Sequence, residues 1–155
     1  MNSLSFKKTV RNALLINMIV IGAGFNSLPS YSGGPPDMNK VLTKGYEYLS
    51  QGRSEDALAF FQGKLKKYPN SSLLHLGIGK ALKRLGKLSE AKAEFRIATQ
   101  VEPSVADGFY ELGVCMESDK EWSGAADAFQ RFLQLKPDAG DRRAISDRIK
   151  YCQSQ

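Results

Sequence analysis

The chain has 155 residues, about one domain's worth, which leaves little room for a second independent core. Its formal net charge is +6, but Lys7, Lys8 and Arg11 account for half of that charge, and positions 1–32 contain no acidic residue. The rest of the chain therefore carries only a small positive charge. This modest excess of cations, without interleaved stacking aromatics, argues against a nucleic-acid partner.

Positions 1–32 have the layout of a secretory signal peptide. A basic start precedes an apolar run from Ala13 to Phe25 that only Asn17 interrupts. As a helix this run would span roughly 20 Å, too short for a hydrocarbon core of about 30 Å. Cleavage after the small residue Ser32 is therefore favoured. We predict an exported, periplasmic chain, and the alternative is an uncleaved leader that holds the chain at the inner membrane.

Residues 33–37 follow the leader and are interpreted as a linker, because their glycines are permissive and their prolines lack a backbone donor. From Met38 onward the pattern changes. Apolar residues recur three and four positions apart, in segments that end at Gly, Asn or Pro. This periodicity predicts an all-α domain.

The helical region repeats itself at a regular interval. The distance along the chain from Pro69 to Pro103 equals the distance from Pro103 to Pro137. Several other residue types recur in step with the prolines, which chance does not readily produce. These sets are Gly45, Gly79 and Gly113; Ala57, Ala91 and Ala125; and Phe61, Phe95 and Phe129.

This pattern resembles the tetratricopeptide-repeat family, whose motif combines Leu-Gly and Tyr with Ala-x-x-x-Phe and a closing Pro. The resemblance covers residues 38–137 and implies a right-handed superhelical solenoid of three helical hairpins. The hairpins are predicted at residues 38–71, 72–105 and 106–137. Residues 138–155 are predicted to form a capping helix and tail, because the last hairpin of a solenoid would otherwise expose its apolar face.

The repeated residues have packing roles in this interpretation. The glycines let the two helices of a hairpin approach closely, and the alanines provide the small face of the second helix. The phenylalanines fill the space between one hairpin and the next. The prolines stop the second helix of each hairpin.

The helical region offers no residue set for catalysis. It contains one histidine, His75, and no glycine-rich phosphate loop, metal-ligand spacing or nucleophile elbow. His75 lies at a packing position, so we interpret it as a core residue rather than as a metal ligand or a base. We predict a protein without enzyme activity, with no catalytic residue, cofactor or metal.

Cys152 follows Cys115 by one repeat period and three further positions, which places the two on neighbouring helices about one turn out of step. In an oxidising compartment a disulfide between them is one alternative. Free thiols on helices are an equally ordinary arrangement. The sequence leaves both alternatives open.

The family resemblance implies a concave groove, lined by the first helix of each hairpin, that binds a segment of another protein. Candidate groove residues lie on these helices but off the packing register. Their mixture of apolar and charged groups predicts a partner with apolar anchors and an acidic end near the cations of the second repeat. The candidates are Leu42, Tyr46 and Leu49 in the first repeat, Leu73, Leu76, Lys80 and Arg84 in the second, and Tyr110, Val114 and Glu117 in the third.

The same resemblance disfavours one family role, the capture of a chaperone's terminal carboxylate by a cationic clamp. In this chain the clamp positions hold Leu42, Tyr46, Gly77, Asp107 and Glu111. We therefore expect this chain to be an adaptor or scaffold for an envelope assembly. The chain itself is expected to contact the membrane only if its leader is not cleaved. The alternative is a structural module that associates with itself, and the sequence leaves the oligomeric state open.

Overall fold

Seven α-helices and no strand make up residues 37–155, the part of the chain that the computed structural model describes. The predicted all-α class is confirmed. The predicted leader at residues 1–32, and the linker up to residue 36, lie outside the described residues. The helices are α1 (Met38–Ser50), α2 (Ser54–Leu65), α3 (Ser72–Arg84), α4 (Leu88–Val101), α5 (Ala106–Ser118), α6 (Trp122–Leu135) and α7 (Arg142–Gln153).

Each helix packs against the next one in chain order, and α1 also contacts α3. This order of contacts is that of a solenoid, in which every hairpin touches only its neighbours. The helix starts repeat as regularly as the sequence does. Successive first helices begin at Met38, Ser72 and Ala106, and successive second helices begin at Ser54, Leu88 and Trp122. In both series the spacing equals that of the repeated prolines.

The turn inside each hairpin repeats as well. Gly52, Gly86 and Lys120 follow the first helices with φ angles of 75°, 76° and 60°. The next residue then donates its N–H to a carbonyl five positions earlier, as Glu121 does to Met116 at 2.8 Å. Glycine adopts this left-handed conformation without cost, whereas Lys120 adopts it against the clash of its own Cβ. The third turn is therefore the strained one.

The three repeated phenylalanines are fully buried and set the spacing between helices. A Cβ built on Gly45 would lie 2.1 Å from Cζ of Phe61, and one built on Gly77 would lie 2.8 Å from the same ring. The ring of Phe61 thus sits against the backbones of both α1 and α3 and fills the space between two hairpins. Within later hairpins the close pairs are Gly79 with Phe95 and Gly113 with Phe129.

The repeated alanines and prolines also have defined places. The alanines have no exposed surface, so the second helices pack through their small face. The prolines are exposed and lie two to four residues beyond the ends of α2, α4 and α6, where the chain turns toward the next hairpin. These residues are Ala57, Ala91 and Ala125, and Pro69, Pro103 and Pro137.

The C-terminal helix α7 covers the third hairpin. Ile145 is 1% exposed and Cys152 is 3% exposed, and both belong to the apolar cluster of that hairpin. Ile149 packs against the same cluster, whereas Tyr151 is 53% exposed and meets Trp122 edge to face. The last hairpin therefore has the cap that a solenoid needs.

We expect Gly45→Ala to lower the free energy of unfolding by about 2 kcal/mol, because the new methyl group overlaps the buried ring of Phe61. Gly63→Ala is a matched control in α2, since nothing lies within 4 Å of its added Cβ. The control should raise stability by about 0.5–1 kcal/mol through helix propensity. Denaturant unfolding followed by far-UV circular dichroism measures both changes. Equal stability of the two variants would contradict this account of the packing.

Candidate functional site

Side chains of the three first helices meet around a cavity of about 370 Å³. Helices α1, α3 and α5 each contribute to its lining. The cavity therefore lies on the face that the sequence predicts as the binding groove. We call it the first cavity, and its lining residues are Tyr46, Leu49, Ser50, Lys80, Lys83, Arg84 and Glu111.

A second cavity of about 220 Å³ adjoins the first one. Lys80 and Glu111 line both cavities, so the two spaces share one wall. Together they form an open channel along the inner helices, which we call the groove. The second cavity is lined by Lys80, Asp107, Tyr110, Glu111, Phe132 and Asp141.

Tyr46 stands near the centre of the groove. Its half-buried ring packs edge to face against Phe61, with 5.7 Å between the ring centroids. Nζ of Lys80 lies 5.3 Å from the centroid of the Tyr46 ring. Burial raises the pKa of the Tyr46 hydroxyl from 10.0 to about 12, and the carboxylates of Asp107 and Glu111 add to the rise. The phenol therefore stays protonated and can donate a hydrogen bond to a bound segment.

Helix α3 is tied to both of its inner neighbours at the groove. Nη1 of Arg84 donates a hydrogen bond of 2.5 Å to the carbonyl oxygen of Leu49 on α1. Nζ of Lys83 forms an ion pair with the carboxylate of Glu111 on α5, and Glu111 is 9% exposed. These two links hold the walls of the groove in place before any partner binds.

The structure brings together four predicted groove residues of the first two repeats, Tyr46, Leu49, Lys80 and Arg84. Leu76 does not line the groove, is 3% exposed and belongs to the core; Leu49 lines the first cavity, although it is 4% exposed and belongs to the same core. Helix α3 has neighbours on both sides, so most of its side chains are buried whatever their register. Leu42 and Leu73 are half-buried and pack against the same core.

Of the three predicted groove residues in the third repeat, Tyr110 lines the groove, whereas Val114 and Glu117 do not. The ring of Tyr110 packs against Phe132, with 5.4 Å between the centroids. Glu117 instead binds Arg148 of α7, whose Nε lies 3.4 Å from Oε1 of the carboxylate. Hydrogen bonding to Glu117 raises the pKa of Arg148, although burial opposes the rise. The capping helix thus occupies Glu117, which the sequence assigns to a partner. Val114 packs against the apolar cluster of the third hairpin.

Several residues that line the groove are absent from the set of candidate groove residues predicted from the sequence. Lys83 and Glu111 belong to different repeats, and only the stacking of α3 on α5 makes them partners. Phe132 belongs to a second helix, where the sequence predicts packing alone. Asp141 precedes α7 and reaches the groove because the capping helix returns along the third hairpin. For Lys83 and Glu111 the available signal was their opposite charge on the first helices of successive repeats.

His75 is a core residue, in agreement with its packing position in the sequence. It is 7% exposed, and its Nδ1 lies 2.7 Å from Oε2 of Glu94 on the second helix of the same hairpin. Its Nε2 lies 3.2 Å from the carbonyl oxygen of Pro69 in the preceding repeat. The ring thus joins two successive hairpins.

Cys115 and Cys152 are both buried, free thiols. They belong to different apolar clusters, and the structure shows no bond between them. Burial raises the pKa of both thiols, which keeps them protonated and weakly nucleophilic.

Residues 37–155 contain no group of three or more His, Cys, Asp or Glu side chains arranged to hold a metal ion. Within the same range, every helix is too short or too polar to cross a bilayer.

We expect a late phenolate step, from Tyr46, in an absorbance titration of the protein's six tyrosines. Because folding raises this pKa above the ordinary 10.0, its contribution to stability is present below pH 10 and is lost as the pH approaches about 12. Tyr46→Phe should remove the late step and part of that stability loss. The control Tyr151→Phe, at an exposed ring, should retain the late step. If the late phenolate step persisted in Tyr46→Phe, its assignment to Tyr46 would be wrong.

Arg148→Lys should lower stability by about 1–2 kcal/mol, because lysine keeps the charge but loses the forked bond to Glu117 and the stacking on Phe129. The guanidinium carbon lies 4.4 Å from the centroid of that ring. Thermal unfolding and hydrogen exchange in α7 measure the effect. Lys150→Ala is the control, since its one ion pair, with Asp147, is exposed and lies within α7. If both variants unfold alike, α7 is held by its apolar residues alone.

Comparison with known proteins identifies the repeat. Residues 76–140 match the family model described as tetratricopeptide repeat. Over 96 residues the chain is 31% identical to the Protein O-mannosyl-transferase Tmtc1 of Drosophila melanogaster, a match that covers 58% of this chain and 11% of the relative. The chain thus corresponds to a small part of that protein.

Solved structures share the arrangement of helices. The first tetratricopeptide-repeat domain of Spaghetti, bound to an HSP90 peptide, matches with a TM-score of 0.69 and 19% identity over 76% of this chain and 93% of that chain. The TPR2B domain of yeast Sti1, in complex with pHsp70, has a TM-score of 0.66 and 17% identity over 76% and 96% of the two chains. The translocator chaperone SycD of Yersinia enterocolitica type III secretion reaches 0.70 with 14% identity over 85% and 94%. At these identities the likeness shows the fold.

Proposed function

We propose that this chain, whose residues 76–140 match the tetratricopeptide-repeat model, is a protein-interaction module that binds a segment of a partner protein in its groove. The observation that carries this proposal is the groove itself, two adjoining cavities that run across α1, α3 and α5. The similar domains of Spaghetti and yeast Sti1 are seen with an HSP90 peptide and with pHsp70. Their likeness supports a peptide as the class of ligand.

The chemistry of the groove supports binding rather than catalysis. Its phenols, Tyr46 and Tyr110, pack against aromatic rings, and its central ion pair joins Lys83 to Glu111. Such fixed groups orient a ligand and cost little to organise when it binds. The transferase relative does not alter the proposal, because this chain spans 11% of that protein.

The proposal extends to the place where the module works. The basic and apolar pattern of residues 1–32 supports export of the chain, followed by service as a scaffold in an envelope assembly. Cell fractionation with intact mass measurement tests this part. A mature chain that begins after Ser32 and is found in the periplasm supports it. A full-length chain in the membrane fraction would favour the anchored alternative, and a full-length cytosolic chain would reject export.

A photo-crosslinking amino acid at Ser50 tests the groove as the binding surface, because this exposed residue lies on the rim of the first cavity. The same group at Gln130, which is exposed on the second helix α6, is the matched control. We expect a crosslinked partner from position 50 and none from position 130. Equal yields from both positions would contradict the groove assignment, and a product with twice the mass of this chain would favour self-association.

A further inference from the structure

The groove reverses its charge between its two cavities. The first cavity is lined by three cations, Lys80, Lys83 and Arg84, and by one carboxylate, Glu111. The second cavity is lined by three carboxylates, those of Asp107, Glu111 and Asp141, and by the single cation Lys80. A bound segment therefore experiences a positive field at one end of the groove and a negative field at the other.

Much of this charge is already neutralised inside the protein. Lys83 pairs with Glu111, and Asp107 accepts a hydrogen bond of 2.7 Å from Nζ of Lys136. These groups hold neighbouring elements together, so they stabilise the folded protein more than they strengthen ligand binding. Their pairing leaves the other charged groups of the groove to determine which ligand is attracted.

Of the charges that remain, Arg84 lines the first cavity alone, Asp141 lines the second cavity alone, and Lys80 lies on the wall that the two cavities share. Within residues 37–155, no carboxylate comes within ion-pair distance of Lys80 or Arg84, and no cation comes within that distance of Asp141. Lys80 rests on the ring of Tyr46, and Arg84 is exposed apart from its bond to the Leu49 carbonyl. Asp141 is exposed just before α7. Each of these groups can gain a charge-assisted hydrogen bond from a ligand.

We propose that the groove selects a bipolar peptide segment, with an acidic side chain against Lys80 and Arg84 and a basic side chain against Asp141. An apolar residue between them packs on the rings of Tyr46 and Tyr110. The two opposite charges fix the direction of the segment, because the reversed segment would place like charges together. This inference rests on the proposed function and specifies the ligand of the same groove.

The same arrangement opposes a phosphate backbone as the ligand. A nucleic acid carries one sign of charge along its whole length. It would be attracted at Lys80 and Arg84 but repelled at Asp141. Charge reversal thus separates a bipolar peptide from a uniformly anionic polymer.

Selection from a phage-displayed library of random peptides, on the full chain, tests the inference. We expect enriched peptides to carry an acidic and a basic residue on opposite sides of an apolar residue, always in one order. A synthetic peptide of the most enriched sequence, labelled for fluorescence anisotropy, then serves as the probe. Arg84→Glu and Asp141→Lys should each weaken its binding about fivefold or more.

A charge exchange provides the decisive control. The double variant Arg84→Glu/Asp141→Lys should prefer a peptide whose acidic and basic residues are exchanged, and this regained binding also shows that the variant is folded. Lys67→Glu alters an exposed cation outside the groove and should change affinity by less than about twofold. Enriched peptides that crosslink to position 50 but show no charge order would overturn the bipolar ligand and leave the proposed function intact. A selection without any groove-binding peptide would overturn the proposed function itself.

Discussion

The contact between a buried phenylalanine ring and bare glycine backbone is the constraint on which this molecule depends. The ring of Phe61 occupies the space where Cβ atoms of Gly45 and Gly77 would lie, so α1 and α3 approach more closely than larger residues allow. This closeness lets Arg84 on α3 reach the carbonyl of Leu49 on α1. The groove is therefore a consequence of core packing, because its walls stand at the distance that the ring sets.

Ion pairs between successive hairpins add a second level of order. Lys92 on α4 binds Asp119 and Glu121 in the third hairpin, with 2.7 Å between its Nζ and Oε1 of Glu121. Lys83 and Glu111 make a similar link between α3 and α5 on the groove side. Since the links occur on both sides of the stack, neighbouring hairpins resist rotation against each other. A ligand then meets a surface that needs little reorganisation.

The capping helix contributes to the site as well as to stability. Ile145 buries the apolar end of the third hairpin, while Arg148 stacks on Phe129 and binds Glu117. Asp141, immediately before this helix, supplies an exposed carboxylate to the second cavity. The element that closes the solenoid thus also gives the groove its negative end.

The sequence by itself determined the seven-helix pattern, the regular repeat and the buried rings, because helical periodicity and small residues opposite large ones are local signals. It also placed Tyr46, Lys80 and Arg84 on the groove side. Only the tertiary structure decided that Leu76 is core, that Glu117 belongs to Arg148, and that Lys83 pairs with Glu111. These outcomes depend on which helices surround a side chain, and residues of different repeats become neighbours only when the hairpins stack.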